Sequence, residues 1–283
     1  MMKILVTGAM GYLGRGIISN LLNLGHEVIG VDFAPQDTYK SQNYTYYSND
    51  LFRVENPYEF FDKPDVLLHL AWRNGFIHNS NSHIEDLGSH ILFLQRMFDS
   101  NIKRIAVMGT MHEVGFYEGS IDDNTPCYPE TFYGIAKNAL RETVISFAKK
   151  TGKKYQWLRA YYIVSNTTNG ASIFSKIAQA ANEGKHWFPF TTGKNQYDFL
   201  DYDDFCRKVA LTVSQDAING IINISSGYPE KLADRVERFI KENQYDIQLE
   251  YGTFPDRPYD SVAIWGNNRK ILNIVDSTSK KNI

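Results

Sequence analysis

The sequence predicts an α/β protein built on a doubly wound parallel sheet, and three features predict it. The chain opens as strand, glycine-rich turn, helix and second strand. An almost unbroken apolar run, Asp65-Val-Leu-Leu-His-Leu-Ala71, has the character of a parallel strand buried on both faces. Strands then keep alternating with helices of apolar periodicity, as parallel neighbours require, because each pair needs a crossover. Together these features describe a Rossmann-like sheet with helices on both faces.

The first strand is Lys3-Ile-Leu-Val-Thr7, followed by the turn Gly8-Ala-Met-Gly-Tyr-Leu-Gly14, an amphipathic helix from Tyr12 to Leu24 stopped at Gly25, and the strand Glu27-Val-Ile-Gly-Val-Asp32. One glycine permits the tight turn, one lets backbone approach a pyrophosphate, and one lets the helix lie against the strand. Gly8, Gly11 and Gly14, with Tyr12 and Leu13 between them, are therefore candidate dinucleotide contacts, and Asp32 can hold a ribose hydroxyl pair. The spacing Gly-x-x-Gly-x-x-Gly differs from the better-known Gly-x-Gly-x-x-Gly. Arg15 could reach a 2′-phosphate that Asp32 would repel; the balance favours NAD(H), with NADP(H) as the alternative.

Asp50-Leu51 follows a third strand and is placed to cap the adenine. The end of the apolar run, Leu70-Ala71, belongs beside the cofactor, and Trp72-Arg-Asn-Gly-Phe-Ile-His-Asn79 is a polar, aromatic loop at the carboxyl edge, a candidate substrate wall that includes Arg73. A helix is expected over Glu85–Ser100, with a stripe of Leu87, Ile91, Leu94 and Phe98. The strand Lys103–Gly109 then delivers Thr110 to the same edge, where its hydroxyl can bond a substrate oxygen. After the loop Thr125-Pro-Cys-Tyr-Pro129, a helix carries Tyr133 and Lys137 on one face and runs on to Lys150. A phenol titrates at about 10 when unperturbed and a nearby ammonium favours its anion, so the pair can move a proton at a hydroxyl or carbonyl.

With 283 residues, 43% of them hydrophobic, the chain can bury a sizeable core. Its 30 basic and 32 acidic residues leave a net charge of -2, which argues against nucleic acid or an anionic membrane as a partner. Two cysteines make no disulfide framework and no Cys-x-x-Cys pair, so no metal is called for and a reducing cytoplasm is expected. No apolar run is long enough to span a bilayer, and the start runs into a strand without a signal segment. The 18 tyrosines suit a cleft that stacks on sugars.

In this order the motifs resemble the extended short-chain dehydrogenase/reductase family, its nucleotide-sugar epimerase, dehydratase and reductase group. Thr-Gly-Ala-Met-Gly-Tyr-Leu-Gly14 is similar to the family's cofactor turn, His69-Leu-Ala71 to its fourth-strand motif and Tyr133-Gly-Ile-Ala-Lys137 to its catalytic helix. Arg159-Ala-Tyr-Tyr-Ile163, Tyr197-Asp-Phe-Leu-Asp-Tyr-Asp-Asp204 and Asn223-Ile-Ser-Ser-Gly227 extend the likeness over essentially the whole chain. The resemblance implies a dinucleotide-binding domain over 1–164, with a return segment at about 195–225, and a smaller, mostly C-terminal substrate domain over 165–194 and 226–283. A nucleoside diphosphate sugar would lie between them. It further implies that Tyr133 is the acid/base, that Lys137 holds the nicotinamide ribose and lowers the tyrosine's pKa, and that Thr110 orients the sugar oxygen. Ile163 would join the cofactor site, Arg257 would grip the diphosphate, and His112 and Tyr162 would lie near the sugar. Family members dimerise through the helices Glu85–Ser100 and Tyr133–Lys150, so a homodimer is expected.

Three departures sharpen the activity. Tyr162 replaces an asparagine and Tyr197 replaces an arginine that often holds the diphosphate. Alignment on Gly115 places Met111 and His112 where 4,6-dehydratases carry the Asp-Glu pair that expels water; alignment on Glu113-Val114 restores the glutamate but puts Met111 at the hydroxyl position. Dehydration is therefore not expected. The leading expectation is an NAD(P)H-dependent reductase of the 4-keto group of a nucleotide-activated 6-deoxyhexose, of the kind that makes surface-polysaccharide sugars. A nucleotide-sugar 4-epimerase is the alternative, and a non-catalytic cofactor-sensing protein a third.

Overall fold

In a computed structural model, which describes residues 1–35, 40–168, 170, 172–256 and 260–279, the chain folds from its N-terminus as the glycine spacing predicts. It begins with β1 (Lys3–Thr7), α1 (Tyr12–Asn23), β2 (Glu27–Asp32), β3 (Tyr44–Ser48), the short α2 (Pro57–Phe60) and β4 (Val66–His69). Next come the short α3 (Ser82–Glu85), α4 (Leu87–Phe98), β5 (Arg104–Thr110), β6 (Gly119–Ile121), α5 (Phe132–Thr151), β7 (Lys154–Ala160) and β8 (Tyr162–Val164). The remainder is α6 (Ile173–Asn182), β9 (Trp187–Phe190), β10 (Gln196–Asp201), α7 (Tyr202–Val213), β11 (Gly220–Ile224), β12 (Pro229–Lys231), α8 (Leu232–Glu242), β13 (Gln248–Tyr251), β14 (Ala263–Gly266) and α9 (Arg269–Ser279).

Seven strands form one sheet in the order β11-β7-β5-β4-β1-β2-β3, with every pair parallel. The winding reverses between β1 and β4, and a crevice opens at the carboxyl ends of these two strands, where such sheets bind ligands. Each face is covered by helices. Ile17 and Leu21 of α1, Phe205 and Val209 of α7 and Ile271 and Ile274 of α9 pack on one face. On the other, Leu94 and Phe98 of α4 and Leu140 and Val144 of α5 pack against Leu67 and Ile105. Burying each such side chain contributes about 1.5 to 3 kcal/mol.

A second, five-stranded sheet contains β12, β10, β14 and β6 in sequence, with β8 also paired to β10. The strand expected through Arg159–Ile163 is interrupted at Tyr161: β7 ends in the large sheet and β8 enters the smaller one, parallel to β10. Asp198 of β10, fully buried, accepts hydrogen bonds from the amides of Ser226 (2.7 Å), Gly227 (2.9 Å) and Gly266 (3.2 Å), pinning the return loops to this strand. A third core of Phe174, Ile177, Phe199, Val236, Phe239 and Ile264 lies with this sheet. Two expected boundaries shift. The helix Glu85–Ser100 is split at Asp86 into α3 and α4, and β5 runs one residue further than expected, through Thr110.

Candidate active site

The glycine turn at the end of β1 leaves no room for side chains. Gly8 has φ +71°, and a Cβ there would sit 2.9 Å from the Ala71 amide nitrogen; one at Gly14 would fall 2.3 Å from the Gly8 carbonyl oxygen. Asp32 braces the turn by accepting the Met10 amide at 2.9 Å and the Phe33 amide at 2.7 Å. Gly11, at the N-cap of α1, supplies no side-chain cap, which leaves the first-turn amides facing the crevice. Such a bare, close-packed helix start fits a dinucleotide pyrophosphate. Tyr12 opens α1 with its ring 4.9 Å from Tyr202, whose hydroxyl donates to the Tyr12 carbonyl at 2.6 Å. A fourth glycine, Gly16, is equally confined: a Cβ on it would meet the Tyr202 hydroxyl at 2.6 Å and Cys206 Sγ at 2.7 Å.

The other expected cofactor residues divide. Leu70 and Ala71 lie beside the turn, their amides donating to Thr7 Oγ1 at 3.1 and 3.2 Å. Leu13 and Ile163 are partly buried against the first core. Asp50 lies past the end of β3, where it accepts the Phe52 amide at 3.1 Å and pairs with Arg53, and the Leu51 side chain is turned into the second core.

Thr110, Tyr133 and Lys137 come together at the carboxyl end of β5. Thr131 caps α5 by accepting the Gly134 amide at 3.1 Å, and the Tyr133 amide donates to the His78 carbonyl at 2.8 Å. Gly134 permits the approach: a Cβ there would be 2.4 Å from the His112 carbonyl oxygen. Thr110 stands by Tyr133 as a hydroxyl that favours its phenolate, and its oxygen accepts the His112 amide at 3.3 Å. Lys137 is buried; its Nζ donates to the Met108 carbonyl at 2.9 Å and stands 3.9 Å from the centre of the Trp72 ring.

Burial dominates the electrostatics of the pair. It pushes the Tyr133 phenol up to about 12 and pulls the Lys137 ammonium down to about 7, because desolvation disfavours both charged forms. What lowers the phenol against that trend is Thr110.

Glu113 settles the ambiguity left by the two alignments. Its side chain is fully buried and accepts the Trp157 indole N–H at 2.8 Å, Arg159 Nε at 2.8 Å and the Thr110 amide at 3.3 Å. It is a structural acid behind Thr110, and Met111 is buried beside it in the third core.

Beyond Tyr133 lies a cavity of about 210 Å³ lined by His78, His112, Phe116, Thr131, Tyr162, Tyr197 and Asp260 among others. The His78 ring stacks on Tyr133 (5.5 Å, 15°) and lies 4.3 Å from His112. Tyr162 packs 4.4 Å from Tyr197, whose hydroxyl donates to Asp260 at 3.3 Å. His112 and Tyr162 both line this cavity. Arg73 does not line it; its guanidinium is held by Asp86 and Glu85. Arg257 lies outside the described residues. His78 and the particular role of Trp72 were not singled out, since nothing in local spacing separates them from the rest of their loop. Among the described residues no three His, Cys, Asp or Glu are grouped to hold a metal, and no helix is long and apolar enough to cross a membrane.

Comparison with known proteins agrees with this geometry. The model of the NAD dependent epimerase/dehydratase family matches residues 4–225. The dTDP-6-deoxy-L-talose 4-dehydrogenase (NAD(+)) of Aggregatibacter actinomycetemcomitans is 41% identical over 270 residues, 94% of this chain and 99% of that protein. Among solved structures, the UDP-N-acetylglucosamine 4-epimerase from Methanobrevibacter ruminantium M1 superposes with a TM-score of 0.81 at 18% identity, covering 96% of this chain and 91% of that one. The UDP-glucose 4-epimerase of Thermotoga maritima does so with a TM-score of 0.78 at 20% identity over 100% of both chains. A glycine cradle at the switch point and a Thr-Tyr-Lys cluster at the edge of the neighbouring strand are thereby joined to a match that spans most of the sequence: the chain belongs to the NAD dependent epimerase/dehydratase family.

Proposed function

We propose that the protein is an NAD-dependent oxidoreductase that reduces the 4-keto group of a nucleoside-diphosphate 6-deoxyhexose, with the dTDP sugar as the first candidate because the 41% identical relative is named for one. The observation that carries this reading is the meeting of Thr110, Tyr133 and the buried Lys137 at the carboxyl end of β5, with Glu113 withdrawn into the interior behind them.

Gly8, Gly11, Gly14 and Asp32 hold the dinucleotide, Leu70 and Ala71 flank it, and Lys137 holds its nicotinamide ribose. The bound cofactor supplies the hydride. Tyr133, kept protonated by burial, donates its proton to the oxygen that was the ketone, and Thr110 orients that oxygen and then shares its proton with the phenolate. His112, Tyr162 and Tyr197 wall the sugar and diphosphate, and Arg257 pairs with the phosphates. On this reading residues 1–164 and about 195–225 carry the cofactor and 165–194 with 226–283 the substrate. The product would enter surface-polysaccharide synthesis in the cytoplasm, and the enzyme would act as a homodimer whose helical face includes the exposed Leu92 and Ile135.

A 4-epimerase uses the same atoms twice, and the folds of the 4-epimerases above keep that alternative in play. Stoichiometry separates the two. The reductase should consume one NADH per dTDP-4-keto-6-deoxyhexose, followed at the nicotinamide absorbance. Sustained turnover of a saturated nucleotide sugar without added cofactor would establish the epimerase instead.

A further inference from the structure

Trp72 follows the β4 motif and stands in the loop read from sequence only as a wall. Its ring is fixed on several sides. The indole N–H donates to His83 Nδ1 at 3.0 Å, so His83 carries its proton on Nε2 and donates it to the Ile77 carbonyl at 3.0 Å. The ring stacks on His90 at 4.5 Å and 23°, and His83 lies beside its edge, nearly coplanar at 15°. His90 is itself fixed from the sheet. Thr7 Oγ1 accepts two amides, so its own proton goes to His69 Nδ1 at 2.8 Å, and His69 Nε2 then donates to His90 Nδ1 at 2.9 Å. Into this immobilised surface the chain delivers one buried cation, Lys137 Nζ, 3.9 Å from the ring centre.

We propose that Trp72 is the positioning residue for Lys137: its ring, held at the edge by His83 and stacked on His90, receives the ammonium on its face and holds it at the carboxyl end of β5 beside the Met108 carbonyl. This deepens the reading above and rests on its assignment of Lys137 to the nicotinamide ribose. The titratable groups whose charges act on or feel Lys137 are His69 from β4, His90 from α4 and Glu113 from the turn after β5, and Tyr133 lies one turn earlier on α5. Both histidines are buried and neutral, so Glu113, the Met108 carbonyl and the indole face are what favour the charged amine. Glu113 is already committed to Arg159 and Trp157. An indole face is the best aromatic seat for an ammonium, and it gains strength where water is excluded.

The direct test is titration of Lys137 in the full-length protein, followed by nuclear magnetic resonance of isotope-labelled lysine and assigned by the signal lost in Lys137→Met. Trp72→Leu should move the Lys137 midpoint to lower pH by about half to one unit, and Trp72→Phe should recover most of that shift. Stepwise fluorination of the indole, introduced at position 72 alone, keeps the shape while draining the ring face. The midpoint should fall with each fluorine. A midpoint unmoved by fluorination, or equal in Trp72→Leu and the parent, overturns the proposal, and the fluorinated series decides the matter should Trp72→Leu fail to fold. None of these readouts needs a sugar substrate, so loss of the sugar assignment would leave this result standing and a negative result here would leave the sugar assignment standing.

Discussion

Arg159 Nε lies 2.8 Å from Glu113 Oε1, and both side chains are shut off from solvent. Breaking a buried ion pair leaves one charge uncompensated, at a cost of about 3 to 5 kcal/mol. Glu113→Ala should therefore lower stability by that order in denaturant unfolding. If Glu113 is structural, the fraction that folds at low temperature should keep a parent-like ratio of hydride transferred to sugar consumed. Loss of chemistry without loss of stability would instead make Glu113 a participant.

Gly134 is where α5 touches the turn that carries Thr110 and His112. An alanine methyl would lie 2.4 Å from the His112 carbonyl, which is backbone and cannot swing aside. Gly134→Ala should push α5 outward, separate Tyr133 from Thr110 and reduce kcat on the order of 10²-fold, because displacements near 1 Å at a reacting group carry penalties of that size. NADH affinity should change far less, since the cradle at Gly8 and Gly14 is on another element. Equal losses in both would point to global damage.

The buried histidines make a prediction about acid. Burial lowers His69 from 6.5 to about 3, and lowers His90 as well. Between those limits the unfolded chain binds the proton that the folded chain refuses, so stability must fall as pH drops from 6.5 toward 3. Each such site adds a slope of about 1.4 kcal/mol per pH unit. His69→Asn should flatten the acid limb of a stability-versus-pH curve even where it lowers the plateau. An unchanged slope would mean that His69 is protonated in the folded state.

How far the sequence reaches can be judged residue by residue. Gly8, Gly11, Gly14 and Asp32 announce their turn because the constraint is local: a few neighbouring residues must fit one tight backbone path. Thr110, Tyr133 and Lys137 could be placed on one edge because strand ends and helix faces have fixed geometry. The ion pairs of Arg73 could not be read, because Glu85 ends α3 and Asp86 follows it, at a helix break that the periodicity of Glu85–Ser100 does not record. The assembly of Thr7, His69, Trp72, His83, His90 and Lys137 was equally hidden, since β1, β4, α3, α4 and α5 all contribute and no spacing records their meeting. The attraction of a neighbouring lysine is visible in a motif, whereas the desolvation that raises the Tyr133 phenol belongs to the packed protein.

Thr110 and Tyr133 should fail as a unit. Thr110→Val keeps the shape of the side chain and removes the hydroxyl that lowers the phenol, so the phenol should rise further and proton return should slow. Tyr133→Phe removes the proton donor itself and should cost about 10² to 10⁴-fold in kcat, with NADH binding near the parent value. If the two hydroxyls act on the sugar oxygen as one unit, the double variant should be no slower than Tyr133→Phe alone, and the coupling should account for most of the single Thr110 effect. Additive losses would show instead that the two hydroxyls act on the sugar separately. Single-turnover hydride transfer, measured for the four proteins at saturating NADH, distinguishes these cases because it isolates the chemical step from release.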